Sequence, residues 1–206
     1  MSIFNRIRNI LITPGSEWSV INTEDETPSG LLRKYVIPML LIGAVAAFIG
    51  YGMIGLDAII YKIHGVKWGV WFAIRQFLSG IIGYYAATYV IDALAPNFSS
   101  EKNIGKSAQL VAYASTPSWL AAIFMALPTL GFMGLLGLYG IYLFYIGLPV
   151  LKKTPADKRV IYMIISAIVI IVVSMAAQSI ISMILNPILG NPYEGSINEL
   201  KKLFER

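Results

Sequence analysis

Two charged side chains lie where an apolar sequence should carry none, so they come first in any search for chemistry. Arg75 sits about five residues inside an apolar run that begins near Val70, and Asp92 closes the same run. At that depth, about 7.5 Å along a helix, a guanidinium either snorkels to the headgroups or pairs with a neighbouring carbonyl, unless it serves transport. Asp92 is 17 positions further on, about 25 Å along a helix, so the two cannot pair within one straight helix. Asp92 is expected at the opposite headgroup level. Two stripes of uncharged polar residues follow: Gln109, Tyr113 and Thr116, then Ser174, Gln178 and Ser182 at a spacing of four. Stripes of this kind hydrogen-bond one membrane helix to the next at about 0.6 kcal/mol each, or else line a permeation path. Pro117 removes a backbone donor and should kink its helix. Tyr139, Tyr142 and Tyr145 recur every third residue, as an aromatic belt does.

Other chemistry is short of residues. His64 is the single histidine, there are no cysteines, and no phosphate loop, H-E-x-x-H or G-x-S-x-G occurs. No apolar run holds an acidic residue near its middle, which proton- or sodium-coupled transport would want. These absences exclude the familiar hydrolases and intramembrane proteases. They predict no catalytic residue, cofactor or metal, and nothing here resembles a nucleic-acid-binding stripe.

The elements that hold these residues follow from one stretch. From Ser107 to Leu151, 45 consecutive residues include no Asp, Glu, Lys, Arg or His. About 20 apolar helical residues cross a bilayer, so this length suits two crossings joined at Pro128-Thr129. The whole chain is 206 residues, 57% hydrophobic and 13% charged, about half the charge of a soluble domain. The expectation is an all-α, polytopic bundle of five transmembrane helices over 35–54, 70–94, 108–127, 130–149 and 160–185. Small residues four apart, Gly43/Ala47 and Ala46/Gly50, offer close helix approach. Gly131, Gly134, Gly137 and Gly140 add a smooth ridge.

Three segments result: 1–34 at the interface, 35–189 as the membrane domain, and 190–206 as a C-terminal amphipathic helix. In the first, Phe4, Ile7, Ile10 and Leu11 recur at helical spacing with Arg6 and Arg8 between them, as in a basic helix lying on a membrane. In the last, Ser196 and Glu199 fit a capping box ahead of an apolar face. The first apolar run begins too late for a cleaved signal peptide, so it reads as a retained span. With the N-terminus inside, ten of the 16 Lys and Arg residues fall on the inner side and six outside. The positive-inside rule then predicts a cytoplasmic N-terminus, an external C-terminus and anionic headgroups as inner-face partners.

Several stretches, taken in order, resemble the Yip-domain family of Ypt/Rab-interacting membrane proteins, on its bacterial side. They are Ile10-Leu11 with Pro14 and Trp18, then Leu94-Ala95-Pro96-Asn97-Phe98, then Tyr113-Ala114-Ser115-Thr116-Pro117. The last runs from Leu138-Tyr139 through Gly147-Leu148-Pro149 to Lys152-Lys153-Thr154-Pro155. The resemblance implies five membrane helices, a cytosolic N-terminus and a membrane organiser rather than an enzyme. Eukaryotic members act with Rab-type GTPases. Residues 1–34 are shorter than the N-terminal region of that branch, and only Leu138-Tyr139-Gly140 echoes its Asp-Leu-Tyr-Gly-Pro motif, so Rab binding does not carry over. Two functions remain: a non-enzymatic inner-membrane protein working through lipid, a membrane-protein partner or a second copy, and a small transporter or channel using the polar faces of spans two, three and five.

Overall fold

Helices dominate because, in lipid, each backbone N–H and C=O must find its partner within its own segment. The computed structural model describes residues 2–57 and 62–194. Among these, four helices are long and apolar enough to cross a membrane: Pro28–Ile54, Val66–Phe98, Pro128–Lys152 and Ala156–Leu189. Each is longer than its apolar run, because charged ends such as Arg33 and Lys34 or Asp157 and Lys158 continue the helix beyond the hydrocarbon.

Two short helices, α1 (Ile3–Ile12) and α2 (Pro14–Asn22), precede the bundle. The first long helix joins α3 (Pro28–Leu31) to α4 (Ile37–Phe48) through a π-helical turn over Leu32–Val36. Pro38 has no N–H to offer the carbonyl four residues back, and the widened turn absorbs the mismatch. A two-residue hairpin, Leu56–Asp57 with Lys62–Ile63, leads into α5 (Val66–Leu94).

The third apolar run departs from a single span over 108–127. Helix α6 (Ile104–Ala114) stops at Ser115, α7 (Thr116–Ala121) restarts, and a 3-10 turn carries the chain to Ala126. Pro117 causes the break, since it cannot donate to the Tyr113 carbonyl. The glycine-rich stretch Pro128–Leu138 is also 3-10 rather than α. At three residues per turn, side chains at i and i+3 eclipse. Glycine at every third position, 131 to 140, removes that crowding, so the repeat suits the tighter helix. The chain then passes into α8 (Tyr139–Lys152) and α9 (Ala156–Leu189).

The helix α5 packs between α4 and α9, while α6 lies against α3, α5 and α8. One buried cluster gathers Trp18, Tyr35, Tyr84, Tyr113 and Tyr162, and a smaller one holds Ala47, Trp71, Phe72, Ile181 and Leu185. The outward side chains of α9, including Ile168, Val172 and Ile188, are large, apolar and exposed, as a lipid-facing surface requires. The interfacial helix expected at the N-terminus turns only part of itself outward. Phe4 and Ile12 are exposed, but Ile10, Trp18 and Ile21 are fully buried against the bundle. The C-terminal amphipathic helix lies beyond Glu194, outside the described residues.

Of the described glycines, Gly50 has the least room: any Cβ there would collide with the main-chain carbonyl of Met125. Backbone cannot yield as a side chain can, so Gly50→Ala is expected to lower stability by about 3 kcal/mol, the upper range for overpacking. Gly131→Ala, where a Cβ meets nothing within 4 Å, should be near neutral. Thermal unfolding of the purified protein in detergent compares the two.

Candidate functional site

At the bundle end where α5 and α8 finish, Lys152 is fully buried. As the last residue of α8 it projects its ammonium between α5 and α6. Its three N–H groups are all used: Asp92 Oδ1 accepts at 3.1 Å, the Asn103 carbonyl at 3.2 Å and Ser107 Oγ at 2.7 Å. Ser107 in turn donates to Asp92 Oδ1 at 3.0 Å. Asp92, placed by sequence reading at the headgroups, is only 7% exposed. The Lys152 carbonyl accepts from Glu101 N at 2.8 Å, and Ser100 Oγ donates to Thr154 Oγ1 at 2.9 Å. The Tyr162 hydroxyl donates to the Ile91 carbonyl. The loops after α5 and α8 are thereby joined. Ser107 beside Lys152 resembles a nucleophile beside a base, yet the ammonium is paired with Asp92 and Ser107 is fully buried, so the arrangement is structural.

A second cluster seats the N-terminal helices on the same end. Arg6 donates to Glu17 Oε1 and Glu24 Oε1, each at 2.5 Å, and lies 5.3 Å from the Tyr113 ring centre. Gln109 Nε2 donates to the carbonyls of Ile21 (3.3 Å) and Glu24 (2.9 Å), and Lys106 Nζ to those of Asn22 and Glu24 (2.8 Å each). The polar face of α6 therefore holds the C-terminal end of α2. Tyr35 and Thr116 share a hydrogen bond of 2.7 Å across the break after α6.

Toward the other end, Arg75 Nη2 donates to Gln178 Oε1 at 2.8 Å, joining α5 to α9. Trp71 lies under the guanidinium at 5.3 Å and donates from Nε1 to Asn186 Oδ1 at 3.2 Å. Arg75, Gln178 and Asn186 edge a cleft of about 480 Å³. Pro117 and Tyr139 line a separate apolar hollow with Leu11, whose carbonyl accepts from the Tyr139 hydroxyl at 3.1 Å. Tyr142 is half exposed beside Tyr139. The structure thus brings Gln109 and Tyr113 together, and Arg75 and Gln178 together, while Asp92 stands in a third place. Sequence reading missed Lys152, Ser107, Arg6, Glu17 and Glu24 as partners; the available signal was charges of opposite sign at the same expected membrane level.

A family model described as the Yip1 domain matches residues 8–177. The chain belongs to the Yip1-domain family. The matched range begins inside α1, two residues after Arg6, takes in the Arg6 partners Glu17 and Glu24, the Asp92–Ser107–Lys152 cluster and Arg75, and stops one residue before Gln178. No curated protein and no solved structure matches this Yip1-domain chain. Membership and the long apolar helices together make it an integral membrane protein.

Proposed function

We propose that this Yip1-domain protein is a non-enzymatic organiser that crosses the bacterial inner membrane five times, N-terminus inside, and works by holding a membrane-protein partner within the bilayer. The broken segment from Ile104 to Ala126 supplies the fifth crossing, since its far end meets Gly50 near the end of the first long helix. The observation that carries the partner reading is an open groove of about 660 Å³ between α6, α8 and α9. Small residues line it, among them Ala114, Ser118, Gly137, Gly140 and Ala167, which lets a helix backbone approach closely. Ser166 also lines it with a buried hydroxyl that has no partner among the described residues, a ready interhelical hydrogen bond.

The transporter reading loses its footing here. The cleft at Arg75 and Gln178 includes neither Gln109 nor Tyr113, whose surroundings are filled by α1 and α2. Purification into lipid nanodiscs tests the organiser reading. A stoichiometric protein partner, a second copy included, that rebinds when purified is expected. Ala167→Trp, which fills the groove, should abolish it, and Ile184→Trp on exposed lipid-facing surface should not. A lone chain with no rebinding partner, or solute flux in liposomes, would refute the reading.

A further inference from the structure

The Arg75 guanidinium lies well inside an apolar helix with no carboxylate of the described residues beside it. It stands nine residues into α5, about 14 Å beyond Val66 along the helix. Its Nε is buried and has no partner among the described residues. A guanidinium and an indole N–H donate only. The amide oxygens of Gln178 and Asn186 must therefore face Arg75 and Trp71, which leaves both NH₂ groups unused on residues that line the cleft. Ser179 and Ser182 line it as well, with hydroxyls that return to carbonyls of their own helix and can rotate outward. Among the described residues, the cleft therefore has one positive charge, several spare donors and no acidic residue. Its rim residues, Met175 and Met183, are 64% and 74% exposed on the surface that meets acyl chains.

We propose that the cleft between α5 and α9 is a binding site for the phosphodiester of a phospholipid, with Arg75 as its cation and the Gln178 and Asn186 amides as its donors. A phosphodiester carries a single negative charge and so balances one guanidinium. A free phosphate dianion would bring a second charge that nothing in the cleft offsets, at a depth where an unpaired charge is costly. About 480 Å³ admits the phosphate and glycerol, with the acyl chains lying along the methionine rim. The inference rests on the five-crossing reading for the depth of Arg75. It shares no residue with the groove around Ser166, so each site can fail without the other.

The test is native mass spectrometry of the purified full chain in detergent, titrated with dioctanoyl phosphatidylglycerol. Dioctanoylglycerol serves as the neutral arm and inorganic phosphate as the free-anion arm. Wild type should hold one saturable phosphatidylglycerol, with affinity falling about tenfold in Arg75→Gln, the loss of one charge-assisted contact. Gln178→Leu, which keeps the charge, should lose a smaller factor, and it serves as the test if Arg75→Gln is not folded. Dioctanoylglycerol and phosphate should not displace the lipid. Equal phosphatidylglycerol binding by wild type and both variants would overturn the site. Displacement by inorganic phosphate at the same concentration would overturn lipid as its occupant.

Discussion

Replacing Lys152 with methionine is expected to destabilise the protein by about 3–5 kcal/mol, the range for removing one member of a buried ion pair. The reason lies in what stays behind. Asp92 and Ser107 would face an apolar side chain, and Asp92 would either keep an unpaired charge or take up a proton. The Asn103 carbonyl would lose its contact with the ammonium as well. Methionine matches lysine closely in length, so packing changes little and the effect reports electrostatics. Asp92→Leu should be comparably damaging, because it strands the ammonium. Joining Asp92→Leu to Lys152→Met removes both charges, and the double variant should be more stable than either single one. Thermal midpoints in detergent for the four proteins measure this. Additive losses would show that the two residues act separately and would undo this account of the cluster.

Much of the fold was legible because lipid imposes simple rules. An apolar run of sufficient length has to be a helix, and charged residues have to mark its ends, which is why the four long helices bracket Tyr35–Ile54, Val70–Leu94, Leu130–Pro149 and Val160–Leu185. Pro117 announced the break in the remaining run, although not that the chain would continue as 3-10 turns. The polar contacts were less legible because they are long-range. Lys152 reads as one loop cation among several, and nothing near it in sequence points to Asp92, 60 positions away. Helical spacing set Arg6 between the apolar residues of a basic helix lying on the membrane. It turns inward because Glu17 and Glu24 sit on the next helix and its linker, and a salt-bridged guanidinium can lie against the Tyr113 ring. Gln178 was found as part of a stripe on α9, but its amide orientation became meaningful only once Arg75 stood opposite.

Arg6→Met is expected to release the N-terminal helices from the bundle while leaving the bundle folded. Glu17 is only 3% exposed, and in the variant its carboxylate would keep just the Asn9 amide, at 3.0 Å. Losing the central cation of such a pair costs about 3–5 kcal/mol. Much of that is expected to appear as local opening of α1 and α2, because these helices attach at one end of the bundle and the long helices pack without them. Hydrogen exchange separates the cases: faster exchange in α1 and α2, with α5 and α9 unchanged, is the expected pattern. Arg6→Lys should recover only part of the protection, since one ammonium lacks the planar fork that reaches Glu17 and Glu24 together. The exposed Lys34–Glu26 pair provides the contrast. Salt should weaken it with little effect on the docked helices, because the Arg6 cluster is shielded from counterions by its burial. Unaltered exchange in Arg6→Met would mean that Ile10, Trp18 and Ile21 hold these helices by apolar packing alone.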